Sequence, residues 1–125
     1  MALQNNAALL IFIAITFCVV SVSAFAKVFV VGEADGWTVG PDYKKWAEDK
    51  EFSIGDILTF NYEKGQQDVL RVNKENFDSC DTSSRISSYA SGQDLVTLME
   101  PGEYYFICGK PGHCQGGQKF SIHVA

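Results

Sequence analysis

From Lys27 to its end the chain runs in short stretches that alternate apolar and polar residues, the period of two that marks strands with one buried face. "KVFVVG" is a β-branched run closed by Gly32, "EFSIGDILTFNY" alternates around Gly55-Asp56, and "DVLRVN" follows the turn "EKGQQ". "DLVTLME" stops at Pro101-Gly102, "EYYFICG" enters a glycine-rich loop, and "KFSIHV" closes the chain. Runs of this kind, about ten residues apart and separated by Gly, Pro, Asn and Asp, predict an all-β antiparallel sandwich or barrel. On "EYYFICG" the alternation puts Tyr104, Phe106 and Cys108 on one face. On the last run Phe120, Ile122 and Val124 face inward and His123 faces solvent. Only "PDYKKWAED" predicts a short helix, with Pro41 near its start and Tyr43 and Trp46 three apart. "SCDTSSRISSYASG" is polar and serine-rich, and predicts a long surface connection. Most of the aromatics, Trp37 and Trp46 among them, are assigned to the core.

The first 26 residues differ in kind. An apolar run from Ala7 to Val20 is followed by small residues and the pattern Ala24-Phe25-Ala26, as in a secretory signal peptide cut after Ala24 or Ala26. The run is shorter than the roughly 20 residues of a membrane span, although no Lys or Arg precedes it. Residues 1–26 are therefore expected to be a signal peptide and residues 27–125 one secreted, extracellular domain. With 10 basic and 15 acidic residues the net charge is −5, which argues against nucleic acid and anionic membrane as partners. No lipid-anchor signal or further membrane segment is expected in the mature chain, and no N-glycan sequon is present.

Removing the leader takes Cys18 with it and leaves Cys80, Cys108 and Cys114, an odd number for an oxidising compartment. Two are expected to bridge, and the third is an accident, an intermolecular link or a thiolate kept free. The stretch "YFICGKPGHCQGGQKF" sharpens that choice. Cys108, His113 and Gln118 stand at even five-residue steps, on a loop whose glycines and proline allow a tight path to one point. One thiolate, one imidazole and one weak axial donor make up most of a blue-copper set, which needs two His, one Cys and a distant Met or Gln.

The segments "VGEADGW", "YKKWAEDKEFSIGDILTFNY", "VLRVNKENFDSC", "SGQDLVTL" and "GEYYFICGKPGHCQGGQK" together resemble the phytocyanins, plant cupredoxin-fold proteins, over nearly all of residues 27–125. The resemblance implies a Greek-key β-sandwich with copper as cofactor and a disulfide between Cys80 and Cys114. It also implies Cys108 as the thiolate ligand, His113 as an imidazole ligand, and Gln118 in the axial place, as in stellacyanins. The family pattern F-x-Y-x4-H-N-V is met at Phe60, Tyr62 and Val69, but Gln67 stands where it has its first histidine and Asp68 follows. His123 is not placed to replace that ligand.

Three function classes follow from these residues. The first is a one-electron carrier with a weakened copper site, completed by water, Gln67 or Asp68. The second is a copper-free extracellular or cell-wall binding, structural or signalling module, as the resemblance to early nodulin-like members implies. The third is a thiol redox role for Cys108. An enzyme is not expected, because no nucleophile is accompanied by a base and an orienting carboxylate. Gln67 is expected at the rim of the site, Asp68 in solvent, and the protein as a monomer in the plant apoplast or cell wall, meeting a redox partner or a wall component.

Overall fold

A computed structural model describes residues 25–125. The leader read over residues 1–26 therefore lies outside the described residues, apart from the exposed Phe25 and Ala26.

Among the described residues seven strands form two sheets. The first sheet holds β1 (Val28–Val30), β2 (Ile57–Asn61) and β5 (Gln93–Thr97) in the order β1-β2-β5. The second holds β3 (Val69–Val72), β4 (Ser87–Tyr89), β6 (Gly102–Ile107) and β7 (Lys119–Val124) in the order β4-β3-β6-β7. Each strand falls on a run expected from alternation except β4, which lies inside the serine-rich segment read as a connection. It is a short polar edge pairing only with β3, so it carries no apolar period. A second departure is that β1 pairs with β2 in parallel. The chain between them makes the crossover that parallel pairing demands, through α1 (Tyr43–Glu48).

Helix α1 starts where expected, its Asp42 cap accepting from Lys45 N at 3.0 Å. A second helix, α2 (Lys74–Ser79), was not expected: "KENFDS" offers one large apolar residue, Phe77, and no amphipathic period. Asn73 caps it, accepting from Asn76 N at 2.8 Å, and the Cys80–Cys114 disulfide ties its end to the loop carrying His113. Phe77 then packs on Tyr105, its ring centroid 5.3 Å away, over Leu70, Val72 and Ile107 on the outer side of the second sheet.

Between the sheets lies an aromatic core. Phe60 of β2 meets Phe106 of β6 at 5.5 Å between centroids, and Phe106 meets Phe120 of β7 at 5.3 Å. Trp37 closes one end against Phe60 at 5.1 Å and Tyr43 at 4.8 Å. Tyr43 also accepts from Thr38 N and donates to Gly36 O, fixing the approach to Trp37. Gly36 itself has φ 68°, and a Cβ there would meet Asn61 O at 2.7 Å, so only glycine lets this turn lie against β2. The inward sets are as the alternation requires: Tyr104, Phe106, Cys108, Phe120, Ile122 and Val124 are buried.

Candidate metal centre

Strands β6 and β7 pair in antiparallel register, with Tyr104 opposite Ile122, Phe106 opposite Phe120 and Ile107 opposite Lys119. One step further, Cys108 N donates to Gln118 O at 3.1 Å. Residues directly opposite share a face, so Cys108 and Gln118 continue the inward rows to the end of the core. The loop between them folds back on itself, with His113 N donating to Lys110 O and Gln118 N to His113 O. Gly112 and Gly117 take the positive-φ positions of that path. His113 is thereby returned to Cys108, its Nδ1 3.6 Å from Sγ.

Gln67 completes the group from the other side. It lies in the segment leading into β3, forming an isolated bridge with Lys64. Its Oε1 is 2.8 Å from His113 Nδ1 and 3.5 Å from Cys108 Sγ. An amide oxygen only accepts, so the tautomer that fits this contact carries its proton on Nδ1, and the thiol donates to the same oxygen. Gln67 was expected at the rim; instead it is buried and its oxygen sits between the two candidate ligands. Adjacent strand ends, not the local sequence, bring it there.

Asp68 was expected in solvent and is also drawn in. Its Oδ1 accepts from Gly109 N at 2.5 Å and its carbonyl from Trp37 Nε1 at 2.8 Å. Gly109 makes room for this: a Cβ there would lie 2.6 Å from Leu70 Cδ1 and 3.1 Å from both Asp68 carboxylate oxygens. The two segments of the centre are thus joined by one carboxylate, which the sequence offered as a group to complete a metal site and not as a hydrogen-bonded strut between them.

Cys108 is the free cysteine among the described residues, and it is fully buried. Burial pushes its thiol up; the Asp68 and Lys110 backbone N–H groups pull the other way, and the Asp68 carboxylate adds to the rise. A reactive thiol needs exposure and a lowered pKa. Cys108 has neither, which weighs against a thiol redox role. His123 is exposed on β7 against Glu103, away from the centre, as its alternation requires.

Gln118 is 0 % exposed, and among the described residues neither its Oε1 nor its Nε2 has a hydrogen-bond partner. Leaving a buried polar group unpaired costs about 1–3 kcal/mol, so such a group points to something absent from the protein itself. Among the described residues no three His, Cys, Asp or Glu side chains gather as a metal cage. The thiol, imidazole and two amides nevertheless fit a soft ion. Cys108 Sγ and His113 Nδ1 are 3.6 Å apart, the spacing of neighbouring donors around one ion at roughly 2.0–2.3 Å, whereas Gln67 Oε1 lies in direct hydrogen-bond contact with His113 Nδ1 at 2.8 Å.

Known proteins resemble this chain in sequence and in fold. Residues 37–118 match the plastocyanin-like domain family. Over 120 residues the chain is 40% identical to the blue copper protein of Pisum sativum, covering 96% of this chain and 63% of that protein. Over 104 residues it is 42% identical to early nodulin-like protein 9 of Arabidopsis thaliana, covering 81% of this chain and 51% of that protein. The chain thus spans between half and two thirds of the length of these relatives. The solved structure of cucumber stellacyanin with Cu2+ superposes with a TM-score of 0.75 at 34% identity, covering 82% of this chain and 97% of that one.

Proposed function

The chain belongs to the plastocyanin-like family, in its phytocyanin branch, and from that premise we propose that it is a secreted, monomeric copper-holding carrier of single electrons. Cys108 and His113 would hold the ion, Gln118 would offer a weak amide donor, and Gln67 would stand where the family pattern has its first histidine. The observation that carries this reading is the Gln118 amide, fully buried without a partner and opposite Cys108 on the inner face. When bound, copper supplies the one-electron couple.

The protein's own residues set the conditions for it. Cys108 and Gln118 lie where the aromatic core excludes water. His113 is partly exposed and is the edge through which an external partner would exchange an electron. The Asp68 link to Gly109 holds the two ligand-bearing segments at a fixed separation. A rigid site of this kind limits rearrangement between oxidation states. With a net charge of −5, the partner is a redox protein or wall component and not a nucleic acid.

To test this, the full chain is expressed with its leader, the product recovered from the medium is sequenced at its N-terminus, and Cu(II) is added. Visible and paramagnetic resonance spectra are recorded beside Gln67→His. A start at Phe25 or Lys27 and copper retained by wild type but not by Cys108→Ser are expected. Copper ignored by wild type and taken up by Gln67→His would favour the copper-free extracellular module instead. One observation speaks for that second reading: Gln67 Oε1 already accepts from both His113 and Cys108, so the metal-free pocket is closed.

A further inference from the structure

Two side chains in the pocket are of the types that bind metal strongly, the Cys108 sulfur and the His113 imidazole 3.6 Å from it. Their other neighbours are neutral amides: Gln67, whose oxygen contacts both, and Gln118, buried with its amide unpaired. Resting on the copper reading above, we propose that Gln67 makes this pocket selective for cuprous over cupric ion, so that copper is held chiefly as Cu(I) by Cys108 and His113.

Donor chemistry is the first reason. Soft sulfur selects Cu(I), whereas Cu(II) favours a tetragonal set of good nitrogen and oxygen donors. Among the described residues no third His, Cys, Asp or Glu joins the pair to provide one. A primary amide oxygen is a weak substitute, and Gln67 and Gln118 offer only that.

Charge is the second. A thiolate and a monovalent ion form a neutral pair, which a buried pocket tolerates. A divalent ion would leave an excess positive charge there. The nearest compensating group is Asp68, which is only half-buried and already accepts from Gly109 N.

Rigidity is the third. Gln67 is bridged to Lys64, and the next residue is fixed on two sides, its carbonyl by Trp37 Nε1 at 2.8 Å and its carboxylate by Gly109 N. The segment is not free to withdraw and let water or another side chain supply a better donor. Whichever ion enters, the amide stays in the position that decides between them.

The test loads the full secreted chain without oxygen with Cu(I), and separately with Cu(II), Ag(I) and Zn(II), each against a chelator of known affinity. Bound metal is read by atomic absorption and by thermal melting. Wild type is expected to hold Cu(I) and Ag(I) more tightly than Cu(II) and Zn(II), while still retaining Cu(II) when no chelator competes. Gln67→His is expected to shift the Cu(II)-to-Cu(I) affinity ratio by at least about 10–100-fold, the loss that even an outer-sphere partner commands. For a one-electron couple this lowers the potential by about 60–120 mV. Gln67→Leu, which removes the oxygen without adding a donor, should keep the preference for Cu(I). An unchanged ratio in Gln67→His overturns the inference and leaves the copper reading standing, as does tight Cu(II) binding by Gln67→Leu. Zn(II) held as tightly as Cu(I) by wild type also overturns it. Failure of wild type to bind any of the four ions overturns both.

Discussion

Asp68 and Gly109 join the two halves of the centre: the carboxylate of the residue after Gln67 accepts the backbone N–H of the residue after Cys108 at 2.5 Å. Asp68→Asn preserves an acceptor there but makes the bond a neutral one, and is expected to cost less than the alanine change. Asp68→Ala leaves the N–H unpaired and should cost about 1–3 kcal/mol. Gly109→Ala brings a methyl group within 2.6 Å of Leu70 Cδ1 and should cost a similar about 1–3 kcal/mol through overpacking. Urea denaturation of the three variants checks the order.

A part-buried tyrosine beside a second carboxylate is expected to shape the behaviour in alkali. Tyr62 donates to Asp94 Oδ2, and Asp94, 5 % exposed, also accepts from Ser91 N and Oγ at 3.1 and 2.5 Å. Burial first, and this hydrogen bond second, push the Tyr62 phenol up to about 12. The neutral phenol is therefore favoured in the folded state. The linked stability is complete below pH about 10, where the unfolded phenol is still protonated, and is lost as pH rises toward about 12. Tyr62 is only part-buried, so screening reduces it to on the order of 1 kcal/mol. Tyr43 is raised as well, by burial, so the difference between wild type and Tyr62→Phe isolates the effect. Urea melts at about pH 9 and about pH 12 should give a smaller fall for Tyr62→Phe; equal falls would reject the assignment.

The disulfide fastens what the polar sequence around it does not. Cys80 and Cys114, 34 residues apart, connect α2 to the His113 loop. Replacing both by Ser should lower stability by roughly 3–4 kcal/mol, as expected for a loop of this length. Amide exchange should rise first in Lys74–Ser79, whose remaining supports include its Asn73 cap, the Phe77 contact, and Lys119 Nζ, which donates to Phe77 O at 2.8 Å. Protection unchanged in α2 would show that these supports suffice without the disulfide.

These elements also show where sequence and structure part. Period-two alternation made the inner rows through Tyr104, Phe106 and Cys108, and through Phe120, Ile122 and Val124, readable, because each buried face leaves a mark at every second residue. Helix α2 and strand β4 leave no such mark: one is held by a cap and a disulfide, the other is a polar edge. The Cys108–His113–Gln118 loop was legible as a unit because its residues are close in sequence. The inward turn of Gln67 and Asp68 was not, since it depends on β3 lying beside β6 across some forty residues.

Gln118 gives the sharpest separation of stability from function. Its amide is enclosed by the core with neither atom paired, so in the metal-free protein it is a net destabilising group. Leucine has nearly the same volume and no polar atoms to leave unpaired. Gln118→Leu should therefore raise metal-free stability by about 1–3 kcal/mol, the reverse of the usual effect of a buried substitution. The same change removes the weak donor opposite Cys108, so copper should raise the melting temperature less in the variant than in wild type. Calorimetry with and without metal reads both quantities on one sample. A variant destabilised in the metal-free state would mean that the amide is satisfied by water, and that its burial is not a mark of a missing ion.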